Sequence, residues 1–227
     1  MVNELLQKGT TKATLNITMS KSIPFQEHTN QYEQWFEENR WVYEAELKAV
    51  KSLLPHGKYG MEIGVGTGRF AAPVGIKIGI EPSSSMRAFA LKRGIKVLGA
   101  VAENLPFKDS TFTHVLMVTT ICFLDDVNVA FTEAYRVLSK EGHLIIGFVD
   151  RGSLIGQEYL RHKDGNLFYR DATFYCVDEI LETMKNIGFN DFDFCQTIFS
   201  DLSQITENEI VRSGYGKGSF IVIRGKK

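Results

Sequence analysis

The residues with the clearest chemical potential lie in one short segment in which glycine occupies every second position. The segment is EIGVGTG, residues 62–68, and it follows a short apolar stretch. Glycine adopts positive φ at little steric cost and has no side chain that would keep a ligand away from the backbone. We therefore predict a sharp turn at the carboxyl end of the first strand of a parallel sheet, with a backbone that contacts a ligand.

A second acidic residue, Glu81, lies 17 residues after Gly64 and ends the next apolar stretch. A carboxylate about 20 residues beyond such a glycine turn is the expected partner of a ribose, because its two oxygens can each accept a hydrogen bond from a hydroxyl. The turn and Glu81 together indicate a nucleoside cofactor.

Two classes of nucleoside cofactor fit this geometry. A dinucleotide requires the pattern GxGxxG/A, whose last small residue lets a helix pack close to the strand, but Arg69 occupies that position here. Glu62, two residues ahead of the first glycine, disfavours a nearby diphosphate and suits a cation. S-adenosylmethionine carries an ammonium and a sulfonium, so the residues favour it. A nicotinamide dinucleotide is the alternative.

Apolar strands alternate with helices between residues 61 and 149. We predict strands at 61–63, 76–81, 95–98, 114–119 and 143–149, helices at 86–93 and 125–138, and a short helix that begins near Gly68. Strands that are apolar along most of their length are typical of a parallel sheet buried on both faces, with right-handed crossovers. Such a sheet would place the glycine turn and Glu81 at one edge.

The segments on either side of this region are less regular. A helical period covers residues 30–54, with glutamate and lysine on its polar face. Its residues Tyr32 and Trp35 either pack in the core or close over a ligand. Residues 151–176 carry aromatic residues, among them Tyr175, without a clear period. A helix at 178–186 and strands at 189–199 and 219–224 follow, and their long separation favours antiparallel pairing.

Four segments, taken in order, resemble the class I S-adenosylmethionine-dependent methyltransferases, most closely their small-molecule branch. They are residues 62–68, Glu81, residues 102–107 with 109–112, and residues 136–138 with Gly142. The resemblance implies a Rossmann-like, doubly wound α/β fold. It implies a seven-stranded, mainly parallel sheet in the order 3-2-1-4-5-7-6, with the last strand antiparallel.

The same resemblance implies a set of site residues. The glycine loop would meet the methionine part of the cofactor, and the segment after the third strand would border the adenine. The expected cofactor-binding residues are Glu62, Gly64, Gly66, Thr67, Gly68, Glu81, Pro82, Ala102, Glu103 and Thr119, and the expected lid residues are Tyr32, Trp35 and Tyr175. Val101 stands where the family usually has an acid, so we expect the backbone around Ala102 to contact the adenine.

We expect one domain over residues 1–227. It would comprise an N-terminal helical cap at 1–55, a cofactor-binding core at 56–150, a lid insertion at 151–176, and a C-terminal helix with antiparallel strands at 177–227. The cap and the insertion would form the cover of the substrate site.

The expected reaction is in-line transfer of a methyl group from S-adenosylmethionine to a small-molecule acceptor above residues 119–123, with S-adenosylhomocysteine as the product. The sulfonium methyl is already activated, so the reaction depends above all on placement. We therefore assign no catalytic residue. A nicotinamide-dependent oxidoreductase and a non-catalytic S-adenosylmethionine-binding protein are the alternatives.

The amino-acid composition argues against several other classes of protein. The net charge of -1 gives no support to a nucleic-acid binder, which should show a basic excess. Three scattered cysteines are too few for a disulfide framework or a zinc site, so no metal is expected. The N-terminus lacks the pattern of a signal peptide, and no apolar stretch is long enough to cross a membrane. We expect a cytoplasmic protein without a membrane partner, and the sequence does not predict its oligomeric state.

Overall fold

Residues 2–7, 19–55, 57, 59–207 and 209–227 are described by a computed structural model. Its strands are β1 (Gly60–Ile63), β2 (Ile78–Ile80), β3 (Lys96–Leu98), β4 (Phe112–Val118), β5 (Leu138–Val149), β6 (Asn190–Thr197), β7 (Arg212–Ser213) and β8 (Phe220–Lys226). They form one sheet in the order β3-β2-β1-β4-β5-β8-β6-β7.

Helices cover both faces of this sheet. They are α1 (Val2–Leu5), α2 (Ile23–Glu27), α3 (Thr29–Glu38), α4 (Arg40–Leu53), α5 (Ser84–Lys92), α6 (Val127–Val137), α7 (Leu154–Arg161) and α8 (Val177–Ile187). Side chains that accept hydrogen bonds from free backbone N–H groups begin several of them, including α5 and α6. Ser83 accepts from the N–H of Met86 at α5, and Asp126 accepts from the N–H groups of Asn128 and Val129 at α6.

The predicted mixed sheet is confirmed. Strands β1 to β5 pair in parallel, and β8 is antiparallel to both β5 and β6. The predicted count of seven strands is wrong by one, because β7 adds an eighth at the edge, where Cys195 pairs with Ser213. A strand of two residues is too short to carry an alternating pattern, so periodicity cannot reveal it.

Two predicted helices differ from the structure. No helix follows the glycine segment, because residues 69–75 form consecutive turns, with one bond from the N–H of Ala72 to the carbonyl of Gly68. Pro73 lacks an N–H donor and Gly75 has a φ of 81°, which leaves too few residues for a helix. The single helix predicted at 30–54 is two helices, α3 and α4, separated at Asn39, whose side-chain amide donates to the carbonyl of Trp35.

Helix α7 lies in the segment for which the sequence shows no clear period. Ser153 accepts a hydrogen bond from the N–H of Gly156 and begins the helix. Ile155 is its buried apolar side chain, while Leu154 and Leu160 are exposed. The helix has only eight residues, fewer than the window of about 11–18 residues over which a helical period is recognised, which explains why sequence patterning does not reveal it.

The core consists of two large hydrophobic clusters, besides a small one formed by Cys122, Ala172 and Phe174. One contains Phe107, Phe112 and Phe131 together with residues of α6 and α8, and the other contains residues of α3 and α4. Met61 and Ile63 of β1 belong to the first cluster, so Glu62 between them points towards the α3 and α4 face. Among the described residues, no helix combines the length and the apolar character needed to cross a bilayer.

Candidate functional site

A cavity opens at the carboxyl ends of β1, β2 and β4. Its volume is about 140 Å³, roughly ten times the 10–15 Å³ that one water molecule requires. Most of the residues predicted from the sequence line it, namely Gly64, Gly66, Glu81, Pro82, Ala102, Glu103, Thr119 and Tyr32. The topology therefore gathers residues from distant segments at one edge of the sheet, as expected for an open α/β sheet.

The glycines of the turn are needed for different reasons. All three have positive φ, at 67° for Gly64, 53° for Gly66 and 87° for Gly68. A Cβ at Gly64 would lie 2.5 Å from Cγ2 of Thr120, whereas a Cβ at Gly66 would have only the hydroxyl of Tyr32 within 4 Å. Gly64 thus permits close packing, and Gly66 leaves its backbone open to the cavity.

Glu81 is a buried carboxylate with a fixed orientation. It is 7% exposed, its Oε2 accepts the N–H of Gly66 at 3.1 Å, and its Oε1 accepts the N–H of Ser83 at 2.8 Å. Burial raises the pKa of Glu81 to about 7, although the two backbone donors act in the opposite direction. Each oxygen retains a lone pair, so the carboxylate can still accept two hydroxyl donors.

Glu62 lies beneath the turn and does not line the cavity. It is 2% exposed, and its Oε2 has no hydrogen-bond partner in the part of the chain that the structure describes. Burial raises the pKa of Glu62 well above its usual value, despite a hydrogen bond from the N–H of Ala71. An unpartnered buried carboxylate oxygen is costly, and an ammonium is the kind of group that would relieve that cost.

The remaining predicted residues do not reach this cavity. The carbonyl of Thr67 accepts a hydrogen bond from Arg93, and a Cβ at Gly68 would lie 2.5 Å from Cδ1 of Ile95, so both residues hold the turn. Trp35 packs edge-on against Phe36, with 5.1 Å between ring centroids. Tyr175 lines a second, smaller cavity.

The end of the cavity beyond β3 is largely apolar. Ala100, Val101 and Ala102 line it, while Oε1 of Glu103 accepts the backbone N–H groups of Asp125 and Asp126. The structure adds Lys21 and Asp125, which also line the cavity and lie 3.6 Å apart. Sequence reasoning missed both because they belong to separate loops with no motif.

Thr119 follows β4 in a strained conformation. Its φ is 48°, in the left-handed region that residues other than glycine rarely adopt. Its N–H donates to the carbonyl of Gly147 at 2.8 Å, and its carbonyl accepts from Sγ of Cys122. Thr119 lines both cavities, so the strain is located where the two meet. Strain of this kind is typical of functional sites.

Aromatic side chains cover the cavity. The ring of Phe25 lies 4.9 Å from that of Phe123, 5.1 Å from that of Phe168 and 5.8 Å from that of Tyr32. Tyr169 stacks on Phe123 at 5.7 Å. Except for Tyr32, these rings are not among the lid residues predicted from the sequence, because they come from segments without a helical or strand period.

Helix α3 is attached to the glycine turn by an ion-pair cluster. Glu33, which is 14% exposed, lies 2.8 Å from Arg69 and 2.5 Å from Arg93. Burial favours the neutral acid, but hydrogen bonds from Arg93 and Arg69 outweigh it and lower the pKa of Glu33. The cluster fixes the helix that carries Tyr32. Across the described ranges, His, Cys, Asp and Glu side chains form no group of three that could hold a metal ion.

Comparison with known proteins gives consistent results. A family described as "Methyltransferase domain" matches residues 61–146. A solved structure from Thermotoga maritima, an S-adenosylmethionine-dependent methyltransferase described as a possible histamine N-methyltransferase, is 51% identical, with a TM-score of 0.89. The similarity covers 91% of this chain and 99% of that one. An uncharacterised protein of Methanocaldococcus jannaschii is 42% identical over 89% of this chain and 98% of its own length.

More distant structures share the fold. Phosphoethanolamine N-methyltransferase 2 of Haemonchus contortus, solved with S-adenosylhomocysteine, is 18% identical, with a TM-score of 0.59. The similarity covers 80% of this chain and 52% of that one. These relatives do not favour the alternative of a nicotinamide-dependent oxidoreductase.

Proposed function

The chain belongs to the class I S-adenosylmethionine-dependent methyltransferases, and from this premise we propose that it methylates a small-molecule acceptor bound above residues 119–123. S-adenosylmethionine is the cofactor of the family and S-adenosylhomocysteine its product. The proposal concerns the acceptor and the roles of individual residues.

The observation that carries the cofactor assignment is the position of Glu81. Its carboxylate lies at the tip of β2, lines the cavity and is held by the N–H groups of Gly66 and Ser83. We assign it to the two ribose hydroxyls, because a buried carboxylate with free lone pairs accepts such donors strongly. The N–H of Gly66 is already bound to Glu81, so it is not available to a diphosphate.

The ends of the cofactor are assigned from the surrounding residues. Glu62 has a buried oxygen without a partner beside the glycine turn, which suits the ammonium of the methionine part. The apolar wall of Ala100, Val101 and Ala102 suits the adenine. Glu103 and Asp125 are the carboxylates at this end. Because Oε1 of Glu103 already accepts two backbone N–H groups, we assign to Asp125 the polar recognition for which Val101 has no group.

A small acceptor is supported by the enclosure of the site. Phe25, Tyr32 and Tyr169 lie over the cavity and contact one another through aromatic rings or shared neighbours. A nucleobase or protein side chain on a macromolecule would have to displace them. We propose that these residues, from the segments 1–55 and 151–176, form the cover of the acceptor site. Trp35 would stabilise α3 from the side that faces away from the cavity.

When bound, the cofactor supplies a methyl group that is already activated on a sulfonium. The protein has to orient the acceptor and exclude water, and the aromatic cover serves both needs. Thr119 and Thr120 form the floor. Oγ1 of Thr120 donates to the carbonyls of Val118 and Ile63 at 3.0 and 3.2 Å, which locks the floor to β1. Correct placement is worth several kcal/mol of the barrier, up to about 7–11.

Calorimetric titration with S-adenosylmethionine tests the proposal. We expect Glu81→Ala to weaken binding at least about 100-fold, because two charge-assisted hydrogen bonds of about 1.5–3 kcal/mol each are lost. Glu182→Ala is the matched control, since Glu182 is an exposed acid on α8. Unchanged affinity in Glu81→Ala would refute the ribose assignment. Failure to form S-adenosylhomocysteine with any compound in a broad screen of small acceptors would refute the proposed acceptor class.

A further inference from the structure

The second, smaller cavity has no part in the cofactor assignment. Its volume is about 20 Å³, which is room for one or two heavy atoms, because one water molecule requires about 10–15 Å³. Its aromatic residues are Phe148, Tyr159, Tyr169, Phe174 and Tyr175. Protein interiors are closely packed, and a space of this size inside a core loses favourable contacts. Such a space beside a ligand site favours a role in binding.

A stack of three aromatic rings joins the two cavities. Phe123 lines the main cavity, Tyr159 lines the second one, and Tyr169 lies between them and lines both. The ring centroids of Tyr169 and Phe123 are 5.7 Å apart, those of Tyr169 and Tyr159 are 5.0 Å apart, and each pair is inclined by 20°. Thr119, the strained residue after β4, also borders both cavities. A molecule above Thr119 therefore meets an aromatic wall that leads from one cavity to the other.

The segment that carries Tyr169 and Phe174 is fixed to the loop after β4. The N–H of Thr173 donates to the carbonyl of Cys122 at 2.8 Å, and the N–H of Ala172 donates to the carbonyl of Tyr169 at 3.0 Å. Cys122, Ala172 and Phe174 are buried together in the small third cluster of the core. The segment thus forms a fixed wall of the second cavity, which gives the cavity a definite size.

Every described residue that lines the second cavity is uncharged at neutral pH. Burial raises the pKa of the Cys122 thiol to about 12, and it raises the pKa values of the Tyr159 and Tyr169 hydroxyls above their usual range. The main cavity, by contrast, has charged residues in its lining, namely Lys21, Glu81, Glu103 and Asp125. Transfer of an ion or an unpaired polar group into apolar surroundings is costly, so the second cavity suits an uncharged apolar group.

We propose that the second cavity binds an uncharged apolar end of the methyl acceptor, about one or two carbon atoms in length, while the atom to be methylated lies in the main cavity above Thr119. This inference rests on the proposed function and adds to it the polarity and the length of the acceptor. The acceptor extends along the stacked rings and past Tyr169. Val149 and Phe174 line only the second cavity, so they set the length of acceptor that the site accommodates.

Binding of straight-chain alcohols to protein loaded with S-adenosylhomocysteine tests the inference without relying on turnover. The probes are 1-propanol, 1-butanol, 1-pentanol and 1-hexanol, titrated by NMR into protein with ¹³C-labelled isoleucine and valine methyl groups. We expect the resonances of Ile121 and Val149, which line the second cavity, to shift. Affinity should rise about fourfold for each methylene that becomes buried. It should stop rising at a definite chain length, the maximal length, at which the cavity is full.

Two variants change the size of the cavity in opposite directions. Val149→Ile adds one methylene to its wall and should lower the maximal length by about one carbon. Phe174→Leu removes part of a ring and should raise the maximal length by about one carbon or more. Val129→Ile, at an exposed position on α6, and Phe189→Leu, at a buried position in the first core cluster, are the matched controls. Both controls should keep the maximal length of the unchanged chain.

Each outcome decides the inference. It would be overturned by resonances of Ile121 and Val149 that do not move, by an affinity that is independent of chain length, or by a maximal length that a folded variant leaves unchanged. If one variant does not fold, the other decides. S-adenosylhomocysteine affinity is measured for every protein. If the unchanged chain fails to bind S-adenosylhomocysteine, the proposed function fails. If it binds but the alcohols show no maximal length, only the assignment of the second cavity fails.

Discussion

Two buried acids, one at the tip of β2 and one on α4, are held in opposite ways. On the cofactor side, both oxygens of Glu81 are held by backbone N–H groups. On α4, Glu46 is equally buried and has no partner among the described residues. The carboxylate of Glu81 is therefore oriented before a ligand arrives, whereas no described group orients that of Glu46.

This difference shows which chemical groups are available for ligand binding in each region. Backbone groups at strand ends hold the cofactor side, and their positions follow from the sheet itself. Side chains from α3, α7 and the loop at Tyr169 line the proposed acceptor side, so their identities can change without disturbing the sheet. We expect substitutions on the two sides to have different effects on ligand binding and on stability.

The largest expected effect is on cofactor affinity in Gly66→Ala. The added Cβ would point into the cavity, where only the Tyr32 hydroxyl lies within 4 Å, so it would occupy space that the cofactor requires. We expect S-adenosylmethionine to bind at least about 100-fold more weakly. The free energy of unfolding should fall by only about 1–2 kcal/mol, the cost of a left-handed residue other than glycine. Calorimetry and denaturant unfolding measure the two effects.

Gly94→Ala is the matched control for this prediction. Gly94 has a φ of 78°, and a Cβ there would meet nothing within 4 Å. It should therefore show the same loss of stability and unchanged cofactor affinity. Equal affinity in both variants would mean that the turn at Gly66 does not contact the cofactor.

The cofactor side could be predicted from the sequence because its information is local. Gly64, Gly66 and Glu81 stand close to strand ends, and apolar strands alternating with helices fix which strand ends are neighbours. The helix predicted after Gly68 does not form, and the reason is also local in the sequence. The residues before Pro73 form turns, because Pro73 and Gly75 disfavour a helix more than the preceding residues favour it.

The burial of Glu46 could not be predicted in this way. Glu46 falls among the glutamate and lysine residues that the helical period of residues 30–54 assigns to a solvated face, yet it is 7% exposed. Helix α4 packs against β5, β6 and β8, and these strands are far from Glu46 in the sequence. Convergence of side chains from four separate segments is a tertiary property, and no single window of sequence contains it.

Glu46→Gln should stabilise the protein at alkaline pH. The pKa of Glu46 is raised to about 8 in the folded chain, so its contribution to stability is full below the unfolded pKa and is lost as pH rises through 8. A buried glutamine does not ionise, so its contribution to the free energy of unfolding does not change over this pH range. We expect no difference near pH 4.5 and a gain on the order of 1–3 kcal/mol at pH 8.5, measured by urea unfolding.

Other groups do not obscure this comparison. Glu62 and Glu81 also have raised pKa values, but they are present in both proteins and cancel in the difference. Tyr32, Tyr159 and Tyr169, the tyrosines on which the charge of Glu46 acts, have pKa values raised further above neutrality and stay protonated over this range. A constant difference at all pH values would contradict a buried, unpaired carboxyl group.

Cofactor affinity should depend on pH through Glu81. Its pKa is about 7 in the unliganded chain, and hydroxyl donors favour the carboxylate, so below pH 7 a proton competes with the cofactor. We expect S-adenosylmethionine to bind about tenfold more weakly at pH 6 than at pH 8. Glu81→Gln should bind weakly at both pH values with a flatter profile. If the affinity of the unchanged chain varied with pH in the same way as that of Glu81→Gln, a group other than Glu81 would be responsible for the pH dependence.

The smallest expected effect is that of Glu33→Gln, which weakens the connection between the two sides. Glu33 on α3 holds Arg69 and Arg93 next to the glycine turn, and α3 also carries Tyr32. The pKa of Glu33 is lowered, so its stabilising contribution is present above the unfolded pKa and is lost as pH falls through the folded value. At pH 7 we expect a loss of about 0.5–1.5 kcal/mol in the free energy of unfolding.

Ligand binding shows whether this connection matters for function. We expect the affinities for the cofactor and for 1-butanol to fall together by a few-fold in Glu33→Gln, because α3 contacts both sides of the site. Glu38→Gln on the same helix is the control, since Glu38 is exposed and accepts only from Gln34. If Glu33→Gln lowered cofactor affinity alone, the ion pairs would belong to the glycine turn, and the position of Tyr32 would be set by the aromatic contacts of Phe25 and Phe36.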